Sequence, residues 1–199
     1  MTVAILIPAA GFGTRMRGAD KLLQIVDGVP LLRRQAARAR AAAPLVLVTL
    51  PSLDGPRAEA LSGLDLRLLA VPDAAQGMAA SLRRGAAQVP TDSAVMIVPA
   101  DMPDLTSDDF TKLIRAYCAD PVRNLCQGTA ADGTPGHPVL FPPDCLAAFA
   151  DLSGDQGARD ILSANRHRLR RIPLPARNAL TDLDTPEAWD HWRAGRSEP

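Results

Sequence analysis

The chain has 199 residues, 47% hydrophobic and 22% charged, which is long enough for one globular domain with a sizeable core. Basic and acidic residues balance at 22 each, and this zero net charge argues against general binding to nucleic acid or membrane surfaces. No apolar run reaches transmembrane length, the N-terminus lacks a secretory signal pattern, and the three cysteines form no C-x-x-C pair. We therefore expect a cytoplasmic protein without a disulfide framework or a zinc site.

The first predicted element is a buried parallel strand over Val3–Ile7, an apolar run rich in β-branched residues. The loop that follows combines glycines with cations, namely Gly11, Gly13, Gly18, Arg15, Arg17 and Lys21. Glycines let the backbone approach a ligand and turn several N–H groups toward one anion, and neighbouring cations suit a polyphosphate. The loop therefore predicts a triphosphate-binding site. The alternative is an ordinary strand-to-helix turn with solvated arginines.

Two better-known phosphate loops do not fit these residues. A dinucleotide-binding loop requires G-x-G-x-x-G, but Met16 occupies the position of its third glycine. A Walker loop requires G-x-x-x-x-G-K-[ST], and here Gly13 and Gly18 have the right spacing but are followed by Ala19 and Asp20. The loop is thus of a third kind.

Strands and helices alternate over the next hundred or so positions. Strands are predicted over Leu45–Leu50, Leu66–Val71 and Ala94–Val98, and helices after Pro30, over Arg57–Leu61, over Met78–Ala87 and after the capping residue Thr106. Regular alternation with short loops is typical of a parallel sheet that is covered by helices on both faces. We expect an α/β protein with a Rossmann-like, three-layer αβα fold and a mostly parallel central sheet.

From Leu125 onward the pattern is less regular. The predicted elements are a short strand over Val139–Phe141, helices around Cys145–Phe149 and Gly157–Ala164, a strand over Leu169–Leu174 and a closing helix over Pro186–Trp192. Residues 193–199 are expected to form a polar, frayed tail. No linker divides the chain, so we expect a single domain over residues 1–199, with a nucleotide-binding half at 1–105 and a substrate-binding half at 106–192.

Three aspartates are candidate metal ligands. Asp101 directly follows an apolar strand, so its carboxylate should project from the carboxyl edge of the sheet, where ligands bind in such folds. Enzymes that act on polyphosphates use Mg²⁺ held by one or two carboxylates. Asp182 and Asp184 are two apart on an extended segment, so both side chains point the same way and either could be the second ligand. The alternatives are that Asp101 caps the next turn and that Asp184 or Thr185 caps the last helix.

Five motifs occur in order along the chain: Ala9-Ala-Gly-Phe-Gly-Thr-Arg-Met16 with Lys21, Pro72-Asp-Ala-Ala-Gln-Gly77 with Ser81-Leu82, Ala100-Asp-Met-Pro103, Gly136-His-Pro138 and Asp182-Leu-Asp-Thr-Pro186. Together they resemble the molybdenum-cofactor nucleotidyltransferase family, in particular its cytidylyltransferases. The first motif is shared with many sugar-nucleotide enzymes and with methylerythritol phosphate cytidylyltransferases. The Gln-Gly, Asp-Met-Pro and Gly-His-Pro set is much narrower, although the family often has a glycine where this chain has Ala100.

The resemblance implies a role for each matching residue. Gly11, Gly13, Arg15 and Lys21 would hold the triphosphate, with Arg15, Lys21 and Asp101 as the catalytic residues. Ala10, Pro72, Gln76, Gly77 and Ser81 would border the base and ribose. Asp101 and Asp184 would hold Mg²⁺, and Gly136 and His137 would lie near the pterin substrate. An ordinary loop imidazole is the alternative for His137.

The implied reaction transfers a cytidylyl group from CTP to the terminal phosphate of the molybdenum cofactor (molybdopterin) and releases pyrophosphate. A molybdoenzyme or its chaperone is a further implied partner. Three rival functions stay open at this point. They are a guanylyltransferase of the same group, a sugar-phosphate or methylerythritol-phosphate nucleotidyltransferase, and a nucleotide-binding accessory protein that hands on the cofactor without turnover.

Two basic features have two interpretations each. Asp155 is expected to cap the helix that carries Arg159, and Arg159 meets either a substrate phosphate or solvent. The run Arg166–Arg171 either attracts an anionic substrate or partner, or forms a solvated face.

Overall fold

A computed structural model describes residues 2–11, 16, 19–155 and 157–197. Within these residues the strands are β1 (Val3–Pro8), β2 (Ile25–Val26), β3 (Val29–Pro30), β4 (Leu45–Leu50), β5 (Arg67–Ala70), β6 (Ala94–Ile97), β7 (Leu125–Thr129), β8 (Pro135–Phe141) and β9 (Leu169–Pro173). The α-helices are α1 (Leu31–Ala42), α2 (Pro56–Ala60), α3 (Met78–Ala86), α4 (Ser107–Cys118), α5 (Arg159–Ala164) and α6 (Pro186–Ser197). Short 3₁₀ helices cover Lys21–Leu23, Ala74–Gln76, Pro143–Asp151 and Arg166–Arg168.

The described strands form a seven-stranded sheet in the order β5-β4-β1-β6-β8-β7-β9, with β2 and β3 paired separately as a hairpin. Only β8 runs against its neighbours in this sheet, because it pairs antiparallel with both β6 and β7. The predicted α/β fold with a mostly parallel sheet is therefore confirmed. The reversal of β8 brings its first residues to the edge at which the other strands end.

Alternate residues of β1 face two helical layers, as expected for a strand buried on both sides. Ile5 packs with Leu32 of α1 and the apolar face of α4 on one side of the sheet. Leu6 packs with Leu82 of α3 on the other side. Gly85 allows this second contact, because a Cβ there would overlap the Leu6 side chain. Each fully buried leucine contributes about 1.5–3 kcal/mol, so these two layers hold the sheet edge in place.

The second half of the chain contains a strand that the sequence did not predict. β7 is interrupted in its apolar pattern by Gln127 and Gly128. Gly128 is required there, since a Cβ would come within 2.6 Å of the His137 carbonyl oxygen on β8. β8 likewise begins at Pro135 and not at Val139. Close packing of β7 against β8 requires residues that interrupt the apolar pattern, and for this reason the sequence did not predict these strand residues.

The last helix is longer than expected, and the prediction of a frayed tail over 193–199 was wrong for residues 193–197. Arg193 and Arg196 stack over the rings of Trp189 and Trp192, at 5.0 and 4.6 Å from the ring centroids. Arg196 also pairs with Asp27 at 2.9 Å. These contacts extend α6 to Ser197. Within the described residues, no helix has both the length and the apolar character needed to span a membrane.

Candidate active site

Distant segments meet at the carboxyl edge of the sheet. The Leu183 backbone N–H donates to the Asp101 carbonyl oxygen at 3.1 Å, which ties the segment before α6 to the loop after β6. The His137 N–H donates to the Ala179 carbonyl oxygen at 2.9 Å, which ties the same segment to the start of β8. The edge therefore gathers residues from both halves of the chain.

A cation and two carboxylates converge at this edge. The Lys21 ammonium donates to Asp101 Oδ2 and to Asp184 Oδ1, each at 2.6 Å. Burial acts to lower the pKa of Lys21, but the two carboxylates outweigh it and raise that pKa above its ordinary value. The lysine is thus held as a cation between Asp101 and Asp184, two of the three aspartates that the sequence offered as metal ligands.

Threonines cap the two helices that follow these aspartates. Thr185 caps α6, since its Oγ1 accepts a hydrogen bond from the Ala188 N–H at 3.2 Å. Thr106 caps α4 in a reciprocal capping box with Asp109. The carboxylates of Asp101 and Asp184 both contact Lys21.

The pair of carboxylates fits a divalent cation. Both oxygens reach one point, the Lys21 Nζ, and hard carboxylate oxygens are the ligands that Mg²⁺ prefers. No cluster of three or more His, Cys, Asp or Glu side chains suited to a metal occurs among the described residues. An ion held by Asp101 and Asp184 would complete its shell with water and substrate oxygens, as Mg²⁺ does in phosphate-transfer sites.

Arg57 on α2 anchors both ends of the glycine-rich loop, a role that the sequence did not reveal. One of its nitrogens donates to the carbonyl oxygens of Ala9 and Gly11, at 2.6 and 2.8 Å. Its Nε and other terminal nitrogen donate to the two oxygens of Asp20, at 2.7 and 3.0 Å. Asp20 immediately precedes Lys21. This buried arginine therefore fixes where the loop begins and where its lysine emerges.

Helix α1 anchors the loop that carries Asp101. Arg34 and Arg38 both donate to the Pro103 carbonyl oxygen, at 2.6 and 2.8 Å. Gln35, which is fully buried, donates to the Met102 carbonyl oxygen. The loop is thus held from behind while the Asp101 carboxylate faces the cleft.

The residues expected to border the base lie near the ends of β1 and β5. They are Ala10, Pro72, Gln76, Gly77 and Ser81, and Gly11, expected to hold the triphosphate, follows Ala10 directly. Ala10 packs with Val71, Ala74 and Ala80, which brings the two loops together. Ser81 is buried on α3. Two further expected residues, Gly13 and Arg15, lie outside the described residues.

Gly77 lies in a position that only glycine fits. Its φ of +97° falls in the left-handed region, and a Cβ would overlap Asp155 Oδ1. The same Asp155 oxygen accepts a hydrogen bond from the Met78 N–H at 3.2 Å, at the start of α3. The expectation that Asp155 caps the helix of Arg159 was therefore wrong, because the cap reaches a helix distant in sequence.

A cleft of about 570 Å³ opens beside the charged cluster, and we call it the acceptor cleft. Its lining includes Asp101, Gly136, His137, Arg159 and Asp182. Leu82 and Ile97 supply part of its apolar wall. The residues expected to be near the second substrate are therefore next to the expected metal ligand.

His137 is a neutral, largely buried base in this cleft. Burial lowers its pKa below the ordinary value, although the charges of Asp101 and Asp182 act in the opposite direction. Its Nδ1 is buried and has no hydrogen-bond partner among the described residues. Gly136 has a packing reason for being glycine, since a Cβ would overlap the Ala179 carbonyl oxygen.

A comparison with protein families decides what kind of domain this is. Residues 5–170 match the model of the MobA-like NTP transferase domain. The chain belongs to this family. The matched residues include the glycine-rich loop, Lys21, Asp101 and the acceptor-cleft residues of β8, and the activity of the family is transfer of a nucleotidyl group from an NTP.

Two curated relatives of this MobA-like domain are proteins of different kinds. A molybdenum cofactor cytidylyltransferase of Escherichia coli is 25% identical over 187 residues, covering 92% of this chain and 91% of the relative. The bifunctional protein GlmU of Leifsonia xyli is 32% identical over 124 residues, covering 59% of this chain. The chain spans only 25% of the length of that protein.

Solved structures support the fold. Rv0371c of Mycobacterium tuberculosis superposes with a TM-score of 0.78 and 23% identity, covering 97% of this chain and 96% of the other. A second crystal structure of that protein, a complex with manganese, has a TM-score of 0.72 at 22% identity and covers 96% of this chain and 97% of the other. The fold is thus shared with a solved protein over nearly the full length.

Proposed function

We propose that this MobA-like domain transfers a cytidylyl group from CTP to the terminal phosphate of the molybdenum cofactor, with Mg²⁺, and releases pyrophosphate. The observation that carries the proposal is the cluster of Lys21, Asp101 and Asp184 at the mouth of the acceptor cleft. A relative of matching length, the cytidylyltransferase of Escherichia coli, supports this choice of substrates. The division into a nucleotide half at 1–105 and a substrate half at 106–192 stays a prediction.

In the proposed reaction, an oxygen of the acceptor phosphate attacks the α-phosphorus of CTP in line with the leaving group. The bond from the α-phosphorus to the bridging oxygen breaks, and pyrophosphate leaves with that oxygen. The acceptor phosphate is already ionised, so no general base is required. The protein contributes positioning and charge neutralisation, and it needs no covalent nucleophile.

Lys21 and Arg15 are the residues that we expect to neutralise charge on the departing pyrophosphate. Asp101 and Asp184 would hold Mg²⁺, which when bound supplies Lewis-acid polarisation of phosphate oxygens. Lys21 contacts both aspartates, so its ammonium must share them with the ion or move toward the triphosphate. Gly136 and His137 would contact the acceptor, since both line the acceptor cleft.

The choice of CTP rests on the space available for the base. The base is expected between the Ala9-Ala10-Gly11 backbone and the Pro72–Gly77 loop. Ala10 is buried against Ala74, which supports a narrow pocket that suits a pyrimidine. A wrong base leaves buried polar groups unpaired, and each such group costs about 1–3 kcal/mol. We therefore expect CTP to be preferred over the other nucleotides by roughly tenfold to hundredfold.

The test measures pyrophosphate release from CTP, GTP, UTP and ATP, each with molybdenum cofactor, a sugar 1-phosphate or methylerythritol phosphate as acceptor. We expect the highest rate with CTP and molybdenum cofactor. A GTP rate equal to or above the CTP rate would indicate a guanylyltransferase. Turnover with another acceptor alone would contradict the molybdenum-cofactor assignment, and nucleotide binding without release would indicate an accessory protein.

A further inference from the structure

A second groove, of about 540 Å³, lies beside the acceptor cleft and is lined by residues of α5, β7 and β9. We call it the arginine groove, because Arg159, Arg166 and Arg171 line it. These arginines come from α5, from the 3₁₀ turn that follows and from β9. One carboxylate, that of Asp160, also lines the groove. Its formal charge is therefore positive.

The four arginines of the run Arg166–Arg171 separate into two pairs. Arg168 pairs with Asp144 at 2.7 Å, and Arg170 lies 3.6 Å from Asp120 while donating to a carbonyl oxygen of α4. Arg166 and Arg171 instead line the groove. Alternation along β9 separates Arg170 from Arg171, because the two side chains point to opposite faces of the sheet.

The arginines of the groove lack protein partners. Within the described residues, the guanidinium groups of Arg159, Arg166 and Arg171 have no hydrogen bond and no ion pair. Three unpaired guanidiniums that converge on one concavity are suited to an anion such as phosphate, sulfate or carboxylate, which they can bind with two parallel N–H bonds each.

The arginine groove continues the acceptor cleft. Gln127, Pro135, Arg159 and Leu162 line both. Gln127 and Arg171 are also register partners on the neighbouring strands β7 and β9. An acceptor that enters the cleft with one phosphate next to Asp101 can therefore extend along Gln127 and reach the three arginines.

We propose that the arginine groove binds a second anionic group of the acceptor, at the end remote from the phosphate that attacks the nucleotide. This inference rests on the proposed function and narrows its substrate class. The acceptor is longer than a simple sugar phosphate and carries negative charge at both ends. An acidic segment of a partner protein is the competing ligand of the same chemistry, and the test separates the two.

The kinetic test compares Arg166→Ala/Arg171→Ala with the matched control Arg170→Ala, which removes a charge from the same run on the opposite face. The double variant should raise the KM for molybdenum cofactor about tenfold, as expected for two solvent-accessible charge contacts. Its KM for CTP should stay at the wild-type value, and so should both constants of the control. An unchanged acceptor KM in the double variant would overturn the assignment to the acceptor and favour an acidic protein segment.

A binding test examines the anion site in the arginine groove independently of the proposed function. Inorganic phosphate is titrated into the isotope-labelled full chain while the backbone amide signals of Ser163 and Leu169, which line the groove, are followed by NMR. These signals should shift in the wild type and in Arg170→Ala, and stay unchanged in Arg166→Ala/Arg171→Ala. Absence of a shift in the wild type would overturn the anion site. If the wild type shows the shift but has no turnover with molybdenum cofactor, the groove stands and the proposed function fails.

Discussion

Asp101 allows a direct test of the metal role, because Lys21 keeps a second carboxylate partner when it is changed. In Asp101→Asn the Lys21–Asp184 contact remains, so we expect the variant to fold. Its kcat should fall about a hundredfold or more, since a metal-held charge contributes several kcal/mol to phosphoryl chemistry. Pyrophosphate release over a range of Mg²⁺ concentrations measures this effect.

Asp108→Asn is the matched control for that variant. Asp108 is an exposed aspartate in the first turn of α4, seven positions further along the chain. Its loss should leave kcat and the Mg²⁺ requirement unchanged. Near-wild-type turnover of Asp101→Asn at saturating Mg²⁺ would remove Asp101 from the metal site.

Because burial lowers the pKa of His137, we expect the free energy of unfolding to depend on pH. Burial lowers its pKa in the folded state, so between that pKa and the ordinary value of about 6.5 the unfolded chain binds more protons. The free energy of unfolding should therefore decrease as the pH falls through this window, and His137 should have no effect above it. Urea unfolding at several pH values, for the wild type and His137→Asn, measures the difference.

His167 is the control for this measurement, because it is exposed. We expect His167→Asn to keep the wild-type slope of stability against pH, and His137→Asn to have a smaller slope. Equal slopes for the wild type and His137→Asn would show that His137 is solvated in the folded protein.

At the scale of elements, Arg57 is the contact between α2 and the glycine-rich loop. We expect Arg57→Ala to destabilise the fold by about 3 kcal/mol, because it leaves Asp20 without its partner in a partly buried setting. The KM for the nucleotide should rise while the KM for the acceptor stays constant, since only the loop loses its anchor. Arg57→Lys should recover little, because an ammonium cannot reproduce bonds to Asp20 and two carbonyl oxygens at once.

Arg33→Ala provides the comparison for Arg57. Arg33 also donates to two carbonyl oxygens, those of Ala60 and Ser62, but it lies away from the loop. We expect a loss of stability in Arg33→Ala without a change in either KM. A nucleotide KM that is unaffected in Arg57→Ala would mean that the loop keeps its shape without this anchor.

The elements differ in how well the sequence predicted them, for physical reasons. β1 and β4 are continuous apolar runs bounded by loops, and the predictions matched them within a residue. β7 was missed because Gly128 and Gln127, which break the pattern, are required by contacts with β8. Packing between neighbouring strands determines which residue types occur at such positions. The sequence of one strand alone does not reveal that packing.

For the whole molecule, the site joins residues that are far apart in sequence. Lys21 lies 80 positions from Asp101 and 163 from Asp184. Their chemistry could be predicted, because carboxylates after a strand are typical of a metal site and a lysine after glycines is typical of a phosphate-binding loop. Arg57 could not, since it binds carbonyl oxygens 46 and 48 positions away that carry no side-chain pattern.

Both tryptophans of the chain lie on α6. Trp189 is buried together with Met16 from the glycine-rich loop and Leu183, which separates Asp182 from Asp184. Indole emission depends on the polarity around the ring, so the unlabelled protein contains an optical reporter of the loop. Addition of CTP and Mg²⁺ should change the emission intensity or wavelength, and stopped-flow mixing would time the event. An emission spectrum that is unchanged at saturating nucleotide would mean that Met16 and Leu183 keep their positions when the nucleotide binds.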